Sequence, residues 1–310
     1  RYYSSSASQS RSSYSITKSI TSTLVGIAIS EGRLRLDETL AQMLPRYAPL
    51  MSPSEALVTL QQLLTMTGGF LDTFDETGEQ ALQSSPDWIR YILQHQDNPA
   101  GQAFHYSDYG AHLLSPILVQ ATGESVLAYA RAKLFDPLGI VTTPSVEPTI
   151  TGTLQFPAAY LSAGFAWPVD PQGFNTTAAW IKLRPRDLAT FGQLFLQSGQ
   201  WKGRQVVPAA WVQQATTAHV ADADSLPRAN EFQPMNYGYL WWLTTVDHTT
   251  AYFALGYGGQ LIEIVPSRQL LIVVSSYVNE ADPNAPTVGP DDLQRLANVI
   301  VAAITAPAVH

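Results

Sequence analysis

Ser15 and Lys18 stand three residues apart in the run Tyr14-Ser15-Ile16-Thr17-Lys18-Ser19-Ile20. On a helix, residues at i and i+3 share a face one turn apart. A serine hydroxyl becomes a strong nucleophile when a neighbouring group takes its proton. A lysine can be that group where its surroundings disfavour the ammonium form. Thr21 to Ile29 carries no charge, so the helix reads as buried on most sides and Lys18 as a semi-buried cation without an evident local carboxylate. A helix start also offers unpaired N–H groups that favour negative charge on an oxygen. The plain alternative is that Ser15 is only an N-cap.

Phe104-His105-Tyr106-Ser107-Asp108-Tyr109-Gly110 is the second candidate. A phenol at Tyr106 beside an ammonium is able to act as an acid or base. The alternative makes Tyr106 a packing residue and Asp108 the N-cap of the next helix. His105 and His112 flank Asp108, but their spacing is not HExxH, and no metal site is expected there. The third candidate is Ala254-Leu255-Gly256-Tyr257-Gly258-Gly259-Gln260, between two strand patterns. Its glycines allow a close backbone approach, and an N–H there is suited to stabilising an oxyanion. An ordinary hairpin turn is the alternative. The sequence has no GxxxxGK[ST] phosphate loop and no GxSxG elbow, and a Ser-His-Asp triad ranks below the Ser-Lys pair.

The elements that must position these residues follow from pattern. Residues 15–31 predict the first helix, ended by Glu31-Gly32. Residues 1–13 are serine-rich, a leader or the end of a strand and its turn. Helices are expected over 53–67 behind Pro53, 87–95, 109–122, 125–134, 187–198 and 208–216. Residues 141–180 carry few helix signals. From Tyr237 the pattern turns to strands at 237–245, 251–255, 260–265 and 269–277, followed by an amphipathic helix at 290–305. Segregated strands and helices predict an α+β fold: an antiparallel β-sheet flanked by helices, with a large, mostly helical insertion. The division expected is 1–37 plus 236–310 for the sheet and 38–235 for the helical region.

Composition narrows the function classes. The 310 residues suffice for a large core. A net charge of −8 argues against a nucleic-acid partner. The absence of cysteine excludes disulfides, zinc thiolates and iron–sulfur clusters, and leaves the compartment open. No stretch reaches the length of a membrane span. The chain starts at Arg1 without a signal-peptide pattern, so its start is expected to be processed or truncated.

In this order, the signals resemble a known family. Ser15-Ile16-Thr17-Lys18 matches the SxxK motif of penicillin-binding proteins and class A β-lactamases. Tyr106-Ser107-Asp108 resembles the Tyr-x-Asn element of the class C branch. Tyr257-Gly258-Gly259 stands at the place of the Lys/His-Thr-Gly element. Residues 63–69, 185–189 and 256–266 also resemble this superfamily, over nearly the whole chain. The resemblance is strongest to its esterase, D-aminopeptidase and nylon-oligomer-hydrolase-like members.

What the resemblance implies is a β-lactamase/transpeptidase-like fold and a serine hydrolase that cleaves an ester or amide through an acyl-enzyme. Ser15 would be the nucleophile. Lys18 would accept its proton or keep Tyr106 acidic, and Tyr106 would serve the leaving group and then water. The N–H groups of Ser15 and Gln260 would form the oxyanion hole. Asp108, Tyr257, Gly258 and Gly259 would border the substrate. Asp108 in place of Asn, and Tyr257 in place of Lys or His, point away from a β-lactam carboxylate and toward a neutral or cationic small-molecule substrate. Family members carry two strands before the SxxK helix, of which residues 1–13 leave a stub, so one sheet edge is expected unpaired. Phe165, Trp167, Trp180, Trp241 and Trp242 are candidates for an acyl pocket or for core packing. No cofactor or metal is expected. A periplasmic or secreted setting is favoured over a cytoplasmic one, and the oligomeric state is not legible. The rivals are a β-lactamase or D,D-peptidase and a non-catalytic binding protein using the same cleft.

Overall fold

The computed structural model describes residues 7–70, 76–96, 98–152, 156–223, 235–246, 248–279 and 287–305. Its centre is helix α1, Ile16–Ser30, of which Ile16 to Ala28 are all buried. A helix whose charge is confined to Lys18, and whose serines and threonines are buried with its apolar residues, belongs inside a molecule. Here α1 packs against the helices Leu114–Thr122 and Ala209–Ala215 and against two sheet strands. Gly26 allows one of these contacts, because a Cβ there would meet the Trp211 ring at 2.2 Å.

Nine strands are present among the described residues. β1 (Arg11–Ser12) pairs antiparallel with β2 (Lys182–Leu183), and β3 (Gln200–Trp201) with β4 (Arg204–Gln205). The main sheet runs β5 (Asn236–Tyr237), β6 (Trp242–Val246), β7 (Thr249–Gly256), β8 (Gln260–Val265) and β9 (Leu270–Ser275), each antiparallel to the next. β8 is buried along its whole length. The helix Pro185–Leu196 lies on β8 and β9, with Gly192 against Ile262 and Leu271. Strand side chains alternate faces. The opposite face gathers Val246, Ala251, Val265 and Ile272 under Ala297 and Val301 of the helix Pro290–Thr305. The result is the expected α+β arrangement, an antiparallel sheet between helices.

Several elements break where the sequence predicts continuity. The 53–67 helix is two short ones, Pro53–Ala56 and Leu60–Leu64. Thr59 opens the second through a capping box with Gln62, which ends the first run. The 109–122 helix divides into Asp108–His112 and Leu114–Thr122, so Pro116 falls in a first turn, where its missing N–H costs little. The 237–245 strand is interrupted by a turn containing Leu240 at φ 59°. There, Gly238 lets the chain pass within 2.1 Å, measured from an added Cβ, of the Ala215 carbonyl oxygen. The last residues of the serine-rich leader form β1, the strand-end alternative.

Candidate active site

Ser15 is held at the N-terminus of α1 by the chain that enters it. The Ser13 N–H donates to the Ile181 carbonyl at 2.8 Å, and the Thr17 hydroxyl donates to the Tyr14 carbonyl at 2.6 Å. Tyr14 takes φ 45°, a left-handed conformation that a bulky residue adopts only under constraint. Ser15 occupies the N-cap position, yet its side chain caps nothing. Its hydroxyl is left to other partners, so the capping alternative does not describe it.

One of those partners is Lys18, whose Nζ donates to Ser15 Oγ at 3.1 Å. Lys18 is 1% exposed. An ammonium has three donors, and besides the Tyr106 phenol three acceptors lie against this one. They are Ser15 Oγ, the Ala178 carbonyl oxygen at 2.9 Å and the carboxylate of Asp108. The sequence shows no local carboxylate for Lys18, and its partner comes from 90 residues away. Burial alone pushes the ammonium's pKa down. The Asp108 carboxylate first, and Tyr106 second, outweigh burial, so the net shift is upward. The resting lysine is a firmly held ammonium, not a free amine.

Asp108 is free for this pairing because it is not the N-cap of its helix. Ser107 takes that place, its hydroxyl accepting the Gly110 N–H at 3.0 Å. Tyr106 precedes it and closes the group. Its phenol is hydrogen-bonded to Ser15 and to Lys18, and Lys18 Nζ lies 4.6 Å from its ring centroid. Burial raises the phenol's pKa, Lys18 opposes, Asp108 adds, and the net direction is upward. The ring is fixed by stacking on Trp242, 5.5 Å away at 16°. Tyr237 meets both rings edge-on, and Phe104 meets Tyr237 and Trp242 in the same way.

The glycine-bearing turn between β7 and β8 reaches the same place. A Cβ on Gly256 would lie 2.4 Å from the Ser13 carbonyl oxygen, so only glycine permits this approach. Tyr257 is exposed, and its ring meets Tyr14 edge-on at 5.5 Å. Gly258 and Gly259 both take positive φ and lie against Val278, Val288 and Ser276. Gln260 begins β8, paired with Gly256 on one side and Ser275 on the other, and is wholly buried. Its side-chain amide donates to the Ser276 carbonyl at 2.9 Å and to the Gly258 carbonyl at 3.3 Å, which fixes the turn.

Ser15, Lys18, Tyr106 and Asp108 are thus in direct contact, and the 257–259 turn adjoins them through Tyr14 and Ser13. Such an array pairs a hydroxyl with a phenol and a cation, the parts needed to attack a carbonyl. The five acyl-pocket candidates are all buried in the core: Phe165, Trp167, Trp180, Trp241 and Trp242. Trp242 among them stacks on Tyr106 and supports it. The Ala178 carbonyl was invisible to motif reading, since a backbone acceptor leaves no residue signature. No cluster suited to a metal ion occurs among the described residues. His112 instead faces the buried Asp170 at 3.0 Å.

Known proteins share this fold. The chain is 32% identical over 129 residues to penicillin-binding protein 4 of Amycolatopsis lactamdurans, a match over 41% of this chain and 33% of that protein. The matched stretch thus spans about a third of that relative's length. An octameric penicillin-binding protein homologue from Pyrococcus abyssi superposes with a TM-score of 0.70 at 17% identity, over 96% of this chain and 67% of that one. A D-stereospecific amidohydrolase from a Streptomyces species superposes with a TM-score of 0.61 at 18% identity, over 84% and 79%. At these identities the structural likenesses speak for the fold. The sequence model described as Beta-lactamase matches residues 12–298, nearly the whole chain, and the protein belongs to the Beta-lactamase family.

Proposed function

We propose that the protein is a serine hydrolase that cleaves an ester or amide bond through an acyl-enzyme on Ser15. The observation that carries this reading is the contact of Ser15 Oγ with both Lys18 and Tyr106, at a hydroxyl excluded from capping. Membership of the family supports the hydrolase class. The amidohydrolase of similar fold is in keeping with an amide substrate.

In this mechanism Tyr106 takes the Ser15 proton, and Lys18 acts as a fixed cation that favours the phenolate. The reasoning is electrostatic. Lys18 has its pKa raised by Asp108, so it keeps its proton and has none to accept. Ser15 Oγ accepts a hydrogen bond from Lys18, which leaves the serine proton directed to the phenol oxygen. Attack forms the Ser15 Oγ–acyl bond and breaks the carbonyl's bond to the leaving group, which receives the proton from Tyr106. Water then attacks the acyl-enzyme, with Tyr106 taking its proton, and Ser15 is released.

The oxyanion would be met by the Ser15 N–H and a second N–H from the β7–β8 turn. Gln260 is the donor expected by resemblance. Gln260 stands at the start of β8, opposite Gly256, whose close approach to the Ser13 carbonyl oxygen brings this turn against the chain entering α1. The test is rapid mixing with 4-nitrophenyl butyrate. A burst of nitrophenolate and an added acyl mass on Ser15 are expected. Ser15→Ala should lower the rate roughly 10³-fold or more. An unchanged rate in that variant would sink the reading and leave the non-catalytic alternative.

A further inference from the structure

The short helix Asp108–His112 carries a polar side chain at each end of one face. Asp108 and His112 are four residues apart, so they lie one turn from each other on the same side. Asp108 reaches Lys18. His112 reaches Asp170, with Nε2 at 3.0 Å from Oδ2. His112 is 2% exposed, and Asp170 is wholly buried. A carboxylate only accepts hydrogen bonds, so the imidazole donates through Nε2. Its Nδ1 has no hydrogen-bond partner among the described residues, and Trp88 meets the ring edge-on at 5.2 Å. Asp170 is therefore the polar anchor of this imidazole.

Asp170 also organises the chain that leads to Ala178. Its Oδ1 accepts the N–H groups of Gln172 and Phe174, both at 2.9 Å. Its own N–H donates to the Phe174 carbonyl at 2.8 Å, and the Thr176 N–H returns to the Pro168 carbonyl at 2.9 Å. These bonds close a compact loop with little slack. The Thr177 hydroxyl then donates to the Ala111 carbonyl at 2.9 Å, and the Thr177 carbonyl accepts the Thr21 hydroxyl of α1 at 3.0 Å. Ala178 follows, with the carbonyl that accepts from Lys18. Two partners of Lys18, Asp108 and Ala178, thus stand on segments that the His112–Asp170 bond joins. A buried carboxylate needs several donors, and Asp170 has three: Gln172, Phe174 and His112. Loss of the imidazole donor leaves this charge undersatisfied and drives the loop to rearrange.

We propose that His112 is a positioning residue for the reaction at Ser15. Through Asp170 it holds the 168–178 chain against helix Asp108–His112, and this sets the places of the Asp108 carboxylate and the Ala178 carbonyl around the Lys18 ammonium. The proposal rests on the hydrolase reading and extends it to a residue that acts through its neighbours. An ammonium displaced from the phenol supports the phenolate less, while the contacts that hold the substrate stay as they are. The effect belongs in kcat and in the pH at which Tyr106 becomes a base, not in KM.

The test measures kcat and KM for 4-nitrophenyl butyrate from pH 6 to 10.5 in wild type, His112→Phe and His112→Gln, with a melting curve for each. Phenylalanine keeps the ring and removes the donor without changing the charge of a neutral imidazole. In His112→Phe, kcat should fall about tenfold with KM within about twofold of wild type, and the rising limb should move to higher pH. His112→Gln, whose amide nitrogen takes the place of Nε2, should bring kcat back to within about threefold and return the limb. Should His112→Phe fail to fold, its combination with Asp170→Asn leaves no buried charge short of a donor and is expected to show the same loss of kcat. A folded variant with wild-type kcat and an unmoved limb overturns the proposal and leaves the pair a stabiliser of the fold. If Ser15→Ala hydrolyses the ester at the wild-type rate, the hydrolase reading fails, and nuclear magnetic resonance decides the positioning alone. Lysine labelled with carbon-13 at Cε gives signals from Lys18, Lys133, Lys182 and Lys202, and Lys18→Arg assigns the first. A Lys18 signal displaced in His112→Phe and restored in His112→Gln upholds the proposal, and an unmoved signal overturns it.

Discussion

Asp108 sets the charge state of the Ser15–Lys18–Tyr106 group, because both of its titrating neighbours feel it. Its carboxylate lifts the Lys18 ammonium above its ordinary pKa against the pull of burial. It also adds to the burial that lifts the Tyr106 phenol, while Lys18 works in the other direction. A base with a raised pKa is protonated at neutral pH, so its reactive fraction grows as pH rises. Wild-type kcat/KM is therefore expected to climb through the neutral range and into the alkaline range. Asp108→Asn removes the push on the phenol and the support of the ammonium together. The rising limb should move to lower pH, and a falling limb should enter on the alkaline side as Lys18 loses its proton. A pH profile from 6 to 10.5 on a 4-nitrophenyl ester checks this, and a rising limb that stays in place would refute the assignment of Tyr106 as base. The Ser15–Lys18 pair was readable because an i, i+3 spacing converts directly into contact on a helix. The Lys18–Asp108 pair was not, since its partners are 90 residues apart and no sequence period links them.

At the scale of elements, the sequence pattern worked where one period governed a whole segment. The uncharged run of α1, the β8 run Gln260–Val265 and the final helix at 290–305 all have the predicted type and nearly the predicted bounds. It failed where capping side chains or close backbone contacts cut a segment, as at Thr59 and Gly238, because these depend on local bonds rather than periodicity. One residue breaks the pattern within a strand that was read well. Glu263 stands in the middle of β8, opposite Phe253 and Ile272, on the face covered by the 290–305 helix. It is fully buried, and both carboxylate oxygens lack hydrogen-bond partners among the described residues. Burial pushes its pKa up to about 7 from 4.5. The folded state then binds a proton that the unfolded chain has already lost, so stability is greatest below the unfolded value and falls as pH rises through 7. The full loss above that pH is about 3 kcal/mol. Glu263→Gln keeps the shape and removes the titration. Its melting temperature should exceed wild type at pH 8.5 and change little between pH 5 and 8.5, where wild type declines. Parallel curves for the two proteins would count against a buried, titrating Glu263.

For the whole molecule, the question is whether the sheet region and the 38–235 region fold as one unit. The proposed division places α1 with the sheet, but α1 does not belong to one side energetically. It is buried at once against β7 and β8 and against the 114–122 and 209–215 helices. Its removal from either side would expose a helix that is buried on nearly every face. The candidate site has the same dependence, since Ser15 and Lys18 ride on α1 while Tyr106, Asp108 and Ala178 come from the inserted region. A single cooperative transition is therefore expected, with far-UV circular dichroism and tryptophan fluorescence coinciding in urea. The junction is open to a direct test at Gly26, where a Cβ would meet the Trp211 ring at 2.2 Å. Gly26→Ala forces α1 and the 209–215 helix apart, at a cost of about 1–3 kcal/mol for overpacking a tight contact. Both probes should shift to lower urea together, without separating. Two resolved transitions, or a shift in one probe alone, would mean that the regions fold independently and that α1 is anchored to only one of them.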